Sequence, residues 1–166
     1  MNDHKNDAGD LCDNRESSGS NLQEQADGVR SLLELITQET RFTLIQNIVA
    51  HPKGMPSLKE LVYANPSKSK STIRNHLEKL VDADVVETVA LPQDERQRDL
   101  PHKFYRLSTS GEKFLEKHDL LRAQDTLQEM HAMLEKTPQI QKYIDAPRPG
   151  DDGDEKSDES RRTLKP

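Results

Sequence analysis

Cysteine is nearly absent from this chain of 166 residues, where Cys12 stands alone. One thiol excludes an internal disulfide framework and any zinc site built on several cysteines. Tryptophan is missing, aromatic residues make up 4%, and hydrophobic residues reach only 31%, below the roughly 45–50% of a typical globular chain. Part of the chain therefore buries too little apolar surface to offset the entropy of ordering it. No apolar run approaches the ~18 residues of a membrane span, and residues 1–20 lack the apolar core of a secretory signal. The expectation is a cytoplasmic protein without a membrane partner. Enzyme signatures are missing too: no glycine-rich phosphate loop, no His-Glu-x-x-His and no Gly-x-Ser-x-Gly. Asp82 and Asp84 sit two apart at a helix end, which suits helix-end solvation better than a catalytic pair. No enzymatic activity, no catalytic residue and no cofactor are expected.

Charge divides the chain in three. Residues 1–28 carry two bases against seven acids among Asn, Gly, Ser and Gln, and residues 145–166 carry five bases against seven acids with Pro147, Pro149, Gly150 and Gly153. Both ends read as solvated and disordered, giving acidic tails at 1–28 and 147–166. The middle, 29–144, has 17 bases and 16 acids. The acidity of the protein is tail acidity, and the near-neutral centre leaves room for a local basic face.

Apolar spacing predicts the elements of the centre. Leu32, Leu33, Leu35 and Ile36 begin a helix, and Phe42, Ile45, Ile48 and Val49 form one helix face before Pro52 and Gly54 stop it. Ser57 and Glu60 have the spacing of a capping box, opening a short helix that Asn65-Pro66 ends. A helix over about 69–83 places Ile73, Leu77, Leu80 and Val81 on one face and Lys70, Thr72, Arg74, Asn75 and Lys79 on the other; Ser67 to Val81 holds four bases and one acid, Glu78. Residues 85–91 alternate weakly as a strand, 92–101 form a polar loop, and 103–107 return as a second strand. Thr109 and Glu112 suggest a second capping box, opening a long helix to about Lys136. Within it Leu120, Ala123, Leu127, Met130 and Leu134 step by three and four, like a coiled-coil seam. Thr137-Pro138 reads as the cap and first position of a last short helix.

The order helix, helix, short helix, helix, hairpin, long helix predicts a mainly α fold with a small β-hairpin wing (α+β): a winged helix-turn-helix at 29–108, followed by C-terminal dimerisation helices at 109–146. In such units the second helix of the pair enters the major groove of double-stranded DNA, and its first turn meets bases and phosphates. The expected DNA contacts are Ser67, Lys68, Ser69, Lys70, Ser71, Thr72, Arg74, Asn75 and Lys79, with Arg96, Arg98, His102 and Lys103 on the wing (about 85–107). Cations there neutralise phosphates and release counterions, while the short Ser, Thr and Asn side chains reach bases or backbone.

These residues carry a family resemblance. Residues 35–48 (LITQETRFTLIQNI) resemble the first core helix of ArsR-like winged-helix transcriptional regulators, and 65–83 (NPSKSKSTIRNHLEKLVDA) resemble their recognition-helix segment. Residues 107–112 (LSTSGE) are similar to the start of the post-wing helix. More narrowly, about 30–147 resembles a group of haloarchaeal helix-turn-helix regulators, and the Trp-free, acid-rich composition is compatible with a high-salt cytoplasm. The resemblance implies a dimer that binds DNA and controls transcription; it does not by itself imply a ligand. Metal-sensing ArsR members use Cys pairs or His and carboxylate sets. Here Cys12 lies in the acidic tail, and His118 and His131 stand 13 apart, between helical faces, so no metal site is expected.

Each feature also has a plainer reading. The basic stretch is compatible with a solvated helix face, His76 with a half-buried core histidine, and the 120–134 stripe with packing inside one chain. The alternative function is a winged-helix protein-interaction module of a transcription or replication assembly. Four bases on 67–81 with two wing arginines favour DNA, because a protein-binding module would more often present apolar or acidic residues there.

Overall fold

The computed structural model describes residues 16–150. Residues 1–15 with Cys12, and 151–166, for which the composition predicts disorder, lie outside the described residues. The chain divides after Thr37 into two compact units. In the first, helix α1 (Glu16–Thr37) corrects the reading of residues 16–28 as disordered tail and of Leu32 to Ile36 as a helix start. Those leucines close α1, and the polar residues before them extend it N-terminally, because adding residues to an existing helix costs far less than nucleating one.

The second unit contains α2 (Glu39–Ala50), α3 (Leu58–Ala64), α4 (Lys70–Asp82), β1 (Val86–Ala90), β2 (Lys103–Leu107), α5 (Thr109–Lys117), α6 (Gln124–Met133) and α7 (Pro138–Asp145). The strands pair antiparallel, Val86 opposite Leu107 and Ala90 opposite Lys103, and Ser57 bridges Phe104 beside them. Leu44, Ile45 and Ile48 of α2, Leu61 of α3, and Ile73, Leu77 and Leu80 of α4 are each 2% exposed or less, together with Phe104 and Leu115. Burying each such side chain contributes about 1.5–3 kcal/mol.

Two predicted caps form, at Ser57 and Thr137, and a third is found at Ser69, where only a helix start was expected. Ser57 Oγ accepts from the Glu60 N–H at 3.5 Å and Glu60 Oε2 accepts from the Ser57 N–H at 2.6 Å, completing the capping box. Ser69 Oγ accepts from the Thr72 N–H, and Thr137 Oγ1 from the Ile140 N–H. The fourth moves by one residue: the cap of α5 is Ser108, whose Oγ accepts from the Gly111 N–H at 2.8 Å. Ser108 is chosen because it also ties the helix to the end of α4, its hydroxyl donating to the Asp84 carbonyl and its N–H to the Val85 carbonyl. A Cβ on Gly111 would lie 2.1 Å from the Val85 carbonyl oxygen, so this close approach requires glycine.

The long helix expected from 109 to 136 is broken. His118 caps α5, Asp119 takes φ 58°, its N–H donates to Glu116 O at 3.0 Å, and the Leu120 N–H donates to Leu115 O at 2.8 Å. This is a Schellman motif with aspartate in the left-handed position usually held by glycine. The same motif ends α4, where Asp84 has φ 55° and the Val85 N–H donates to Leu80 O. The break cuts the expected seam: Leu120 lies in the turn, Ala123 caps α6 at its start and Leu134 caps it at its end. Helix α6 instead packs along α2 of its own chain, with Gln128 Nε2 donating to Val49 O.

The C-terminal segment returns to α3. Ile140, Tyr143 and Ile144 of α7 form a buried cluster, and Lys59 Nζ donates to the Tyr143 hydroxyl at 3.2 Å. Arg148, assigned by composition to the disordered tail, is 2% exposed. Its guanidinium donates to the carbonyls of Met55, Tyr143 and Ala146 and to both carboxylate oxygens of Glu60, at 2.7–3.3 Å, and lies 4.3 Å from the Phe104 ring centroid. His51 completes the cluster. Its Nδ1 accepts from the Lys53 N–H, which leaves the ring proton on Nε2, 2.9 Å from Glu60 Oε1. Burial pushes the Glu60 carboxyl up, but the hydrogen bonds from His51 and Ser57 and the charge of Arg148 outweigh it, and its pKa falls below the ordinary 4.5.

Candidate nucleic-acid interface

The turn between α3 and α4 is built by one buried side chain. Asn65 Nδ2 donates to Leu61 O at 2.8 Å, closing α3, while Asn65 O accepts from the Lys68 N–H at 3.0 Å. Ser67 and Lys68 project from this turn into solvent. Ser69 then caps α4, its hydroxyl also 2.8 Å from Thr72 Oγ1, so Thr72 is half-buried and partly committed to the cap. Because α4 buries Ile73, Leu77 and Leu80, its opposite face presents Lys70, Ser71, Arg74, Asn75, Glu78 and Lys79, all exposed. The sequence-derived polar face is thus one continuous surface, with Glu78 in its middle.

Two groups flank that surface. His76 is half-buried, and Nδ1 has no hydrogen-bond partner among the described residues. Burial lowers its pKa, and the charges of Arg41, Lys79 and Lys68 lower it further. Tyr105 of β2 lies on the other side, its phenol pushed up by burial, drawn down by Arg74 and pushed up again by Glu78.

On the wing the expected residues separate. Arg96 is exposed but folds back on its own loop, Nε donating to Leu91 O at 2.9 Å, so it braces the loop. Arg98 and Lys103 are exposed and line a cleft of about 680 Å³ with Lys70 of α4 and His102. The fold therefore brings Lys70, Arg98 and Lys103 together, while Arg74, Asn75 and Lys79 lie further along α4. Arg106, which sequence reasoning passed over, pairs across the strands with Glu87 directly opposite it. Lys59 and Lys142, also passed over, line the same cleft. Their neighbourhood follows from α7 docking on α3, which no local pattern announces.

Among the described residues no group of three or more His, Cys, Asp or Glu is arranged to hold a metal ion, and no helix is long and apolar enough to cross a membrane. His118 lies against the Phe114 ring, and His131 sits edge-on to His51, so the two histidines considered as ligands serve separate contacts.

The helices with the strand pair between α4 and α5 make a winged helix-turn-helix. No protein-family model matches the chain, and no curated protein matches it. Among solved structures it is similar to a protein with a GntR superfamily winged-helix-turn-helix domain from Halomicrobium mukohataei, at 24% identity and a TM-score of 0.63, over 82% of this chain and 90% of that one. At that identity the likeness concerns the fold.

Proposed function

We propose that the chain is a sequence-specific DNA-binding transcriptional regulator, without enzymatic activity, that acts as a homodimer in the cytoplasm. The observation that carries this reading is the exposed face of α4, where Lys70, Ser71, Arg74, Asn75 and Lys79 stand clear of the core beside a wing that presents Arg98 and Lys103. Arg74 and Asn75 are the residues with the chemistry to read base edges in a major groove, and the lysines the chemistry to hold phosphates. Ser67, Lys68, Ser69 and Thr72 belong to the turn and first helical turn that approach the backbone, where the free N–H groups of the helix start favour a phosphate.

The ArsR-like, haloarchaeal assignment rests on the resemblance at 35–48, 65–83 and 107–112. The structural neighbour, of GntR superfamily type and from Halomicrobium, supports the winged-helix class within which both types fall. The dimer rests on a different observation than a continuous helical seam. Helix α6 covers α2 with one side and leaves Met130, Met133 and Leu134 outside, at 59%, 81% and 58% exposed. A two-fold copy offers the same residues in return and spaces two recognition helices for half-sites about one helical turn apart.

Selection of bound duplexes from a random pool, followed by footprinting, tests the function. The expected result is a protected two-fold site, with Arg74→Ala and Asn75→Ala each weakening it by roughly 1–3 kcal/mol and relaxing one base position. Binding that selects no sequence, or no binding, would overturn the reading and favour a protein-interaction module.

A further inference from the structure

The cleft beside the recognition helix gathers cations from four separate elements: Lys59 at the start of α3, Lys70 in the first turn of α4, Arg98 and Lys103 on the wing, and Lys142 on α7. Asp99 is the one carboxylate in its lining. All five cations are exposed. Lys59 gives one hydrogen bond to the Tyr143 hydroxyl, and Lys70, Arg98, Lys103 and Lys142 have no acceptor among the described residues. Like charges gathered in this way repel one another, and the concentration of five on one wall calls for an anion from outside. A single small anion would require convergent, dehydrated donors. Five solvated side chains set along a cleft from four elements instead match a partner whose charges repeat at intervals, as the phosphates of a duplex do.

We propose that α7 is a third DNA-contacting element, in which Lys142, with Lys59 beside it, binds backbone phosphates next to those met by the recognition helix and wing. The inference rests on the DNA reading above and adds to it the part played by the C-terminal segment. Its geometry depends on α7 being locked to α3 by Tyr143, Ile140 and Ile144, which are buried, so Lys142 is carried on a fixed helix rather than on a loose end.

The test is the salt dependence of binding by the full chain to a mixed-sequence duplex of about three helical turns. Lys142→Gln is expected to reduce the magnitude of the slope of log K against log salt by about 0.9, the value for one lost phosphate contact. Lys142→Arg is expected to keep the wild-type slope, because it keeps the charge. Both variants should retain the wild-type thermal midpoint, since Lys142 is exposed. Arg74→Ala serves as the independent arm. If the wild type and Arg74→Ala show the salt dependence expected of DNA binding but Lys142→Gln matches the wild-type slope, the role of α7 is overturned and the DNA reading stands. If the wild type binds no duplex, both fall together.

Discussion

Arg148 is the residue whose loss should cost the fold most for the least change in chain length. It sits 88 residues from Glu60 in sequence and closes a buried cluster in which one guanidinium satisfies a carboxylate and three backbone carbonyls. The Arg148 and Glu60 side chains are 0% and 5% exposed, so solvent screening does not weaken the pair as it would a surface ion pair. Arg148→Ala leaves Glu60 with only His51 and Ser57, strips the Met55 carbonyl of its guanidinium donor, leaves the Tyr143 carbonyl with the Ala146 N–H and the Ala146 carbonyl with Lys53 Nζ, and opens space over the Phe104 ring. Removing one partner of a buried ion pair costs about 3–5 kcal/mol, a large share of the 5–15 kcal/mol that holds a typical domain together. The expected outcome is a fall of that size in urea unfolding, and a drop of about 10 °C or more in thermal midpoint. A chain shortened to end at residue 146 should show the same loss, and one ending at residue 150 should not. The double variant Glu60→Gln, Arg148→Met should be less destabilised than the sum of its single changes, because the charge left behind by one is removed by the other. A loss under about 1 kcal/mol for Arg148→Ala would refute the assignment of this segment to the core.

Further outcomes follow from other contacts. Gly111→Ala should destabilise by about 1–3 kcal/mol or more in the same unfolding assay, since the atom its methyl meets is the backbone oxygen of Val85 and cannot move aside. Asp84→Gly and Asp119→Gly should each stabilise by about 0.5–1 kcal/mol, the left-handed backbone costing an ordinary residue ~1–2 kcal/mol and glycine losing ~0.5–1 kcal/mol more entropy on folding; unchanged or lower stability would argue against the positive φ. Stability measured against pH should fall in two stages. Below about 6.5 the unfolded chain takes up protons that His76 and His131, both lowered by burial and nearby positive charge, decline when folded; at lower pH the contribution of Glu60, whose folded pKa lies under 4.5, is lost as that carboxyl protonates. Light scattering at micromolar concentration should give twice 18.9 kDa, and Met133→Glu should lower it toward one chain by putting a charge into the shared apolar face; a monomeric wild type would remove the dimer.

Local chemistry made much of this fold legible. The caps at Ser57, Ser69 and Thr137 are written in a handful of adjacent residues each, because the hydroxyl and the N–H it accepts from lie three positions apart. The same holds for the face of α4, where Ile73, Leu77 and Leu80 fix by periodicity which residues must point outward. The strands at 86–90 and 103–107 were also within reach, since β-branched and aromatic residues there frame a polar loop.

What stayed hidden depends on partners distant in sequence or on degenerate signals. A 3-4-3-4 apolar spacing across 120–134 is what one continuous helix would show, yet it arises here from a turn, a short helix and its two caps, with Leu120 and Leu127 half-buried and Ala123, Met130 and Leu134 exposed. The interruption is made without glycine or proline. Aspartate tolerates the left-handed conformation, and the two Schellman hydrogen bonds around Asp119 then compensate the carbonyls that α5 leaves open. Arg148 lies between two prolines in an acidic, glycine-bearing run, and composition averages over it; only the docked position of α7 brings it to Glu60. That docking also decides the candidate site. Lys59 and Lys142 are 83 positions apart and unremarkable as sequence, but once Tyr143 is seated against α3 they share a wall with Lys70, Arg98 and Lys103. The basic face of α4 is readable from one helix, whereas its extension requires the tertiary fold that the buried Glu60 and Arg148 hold in place.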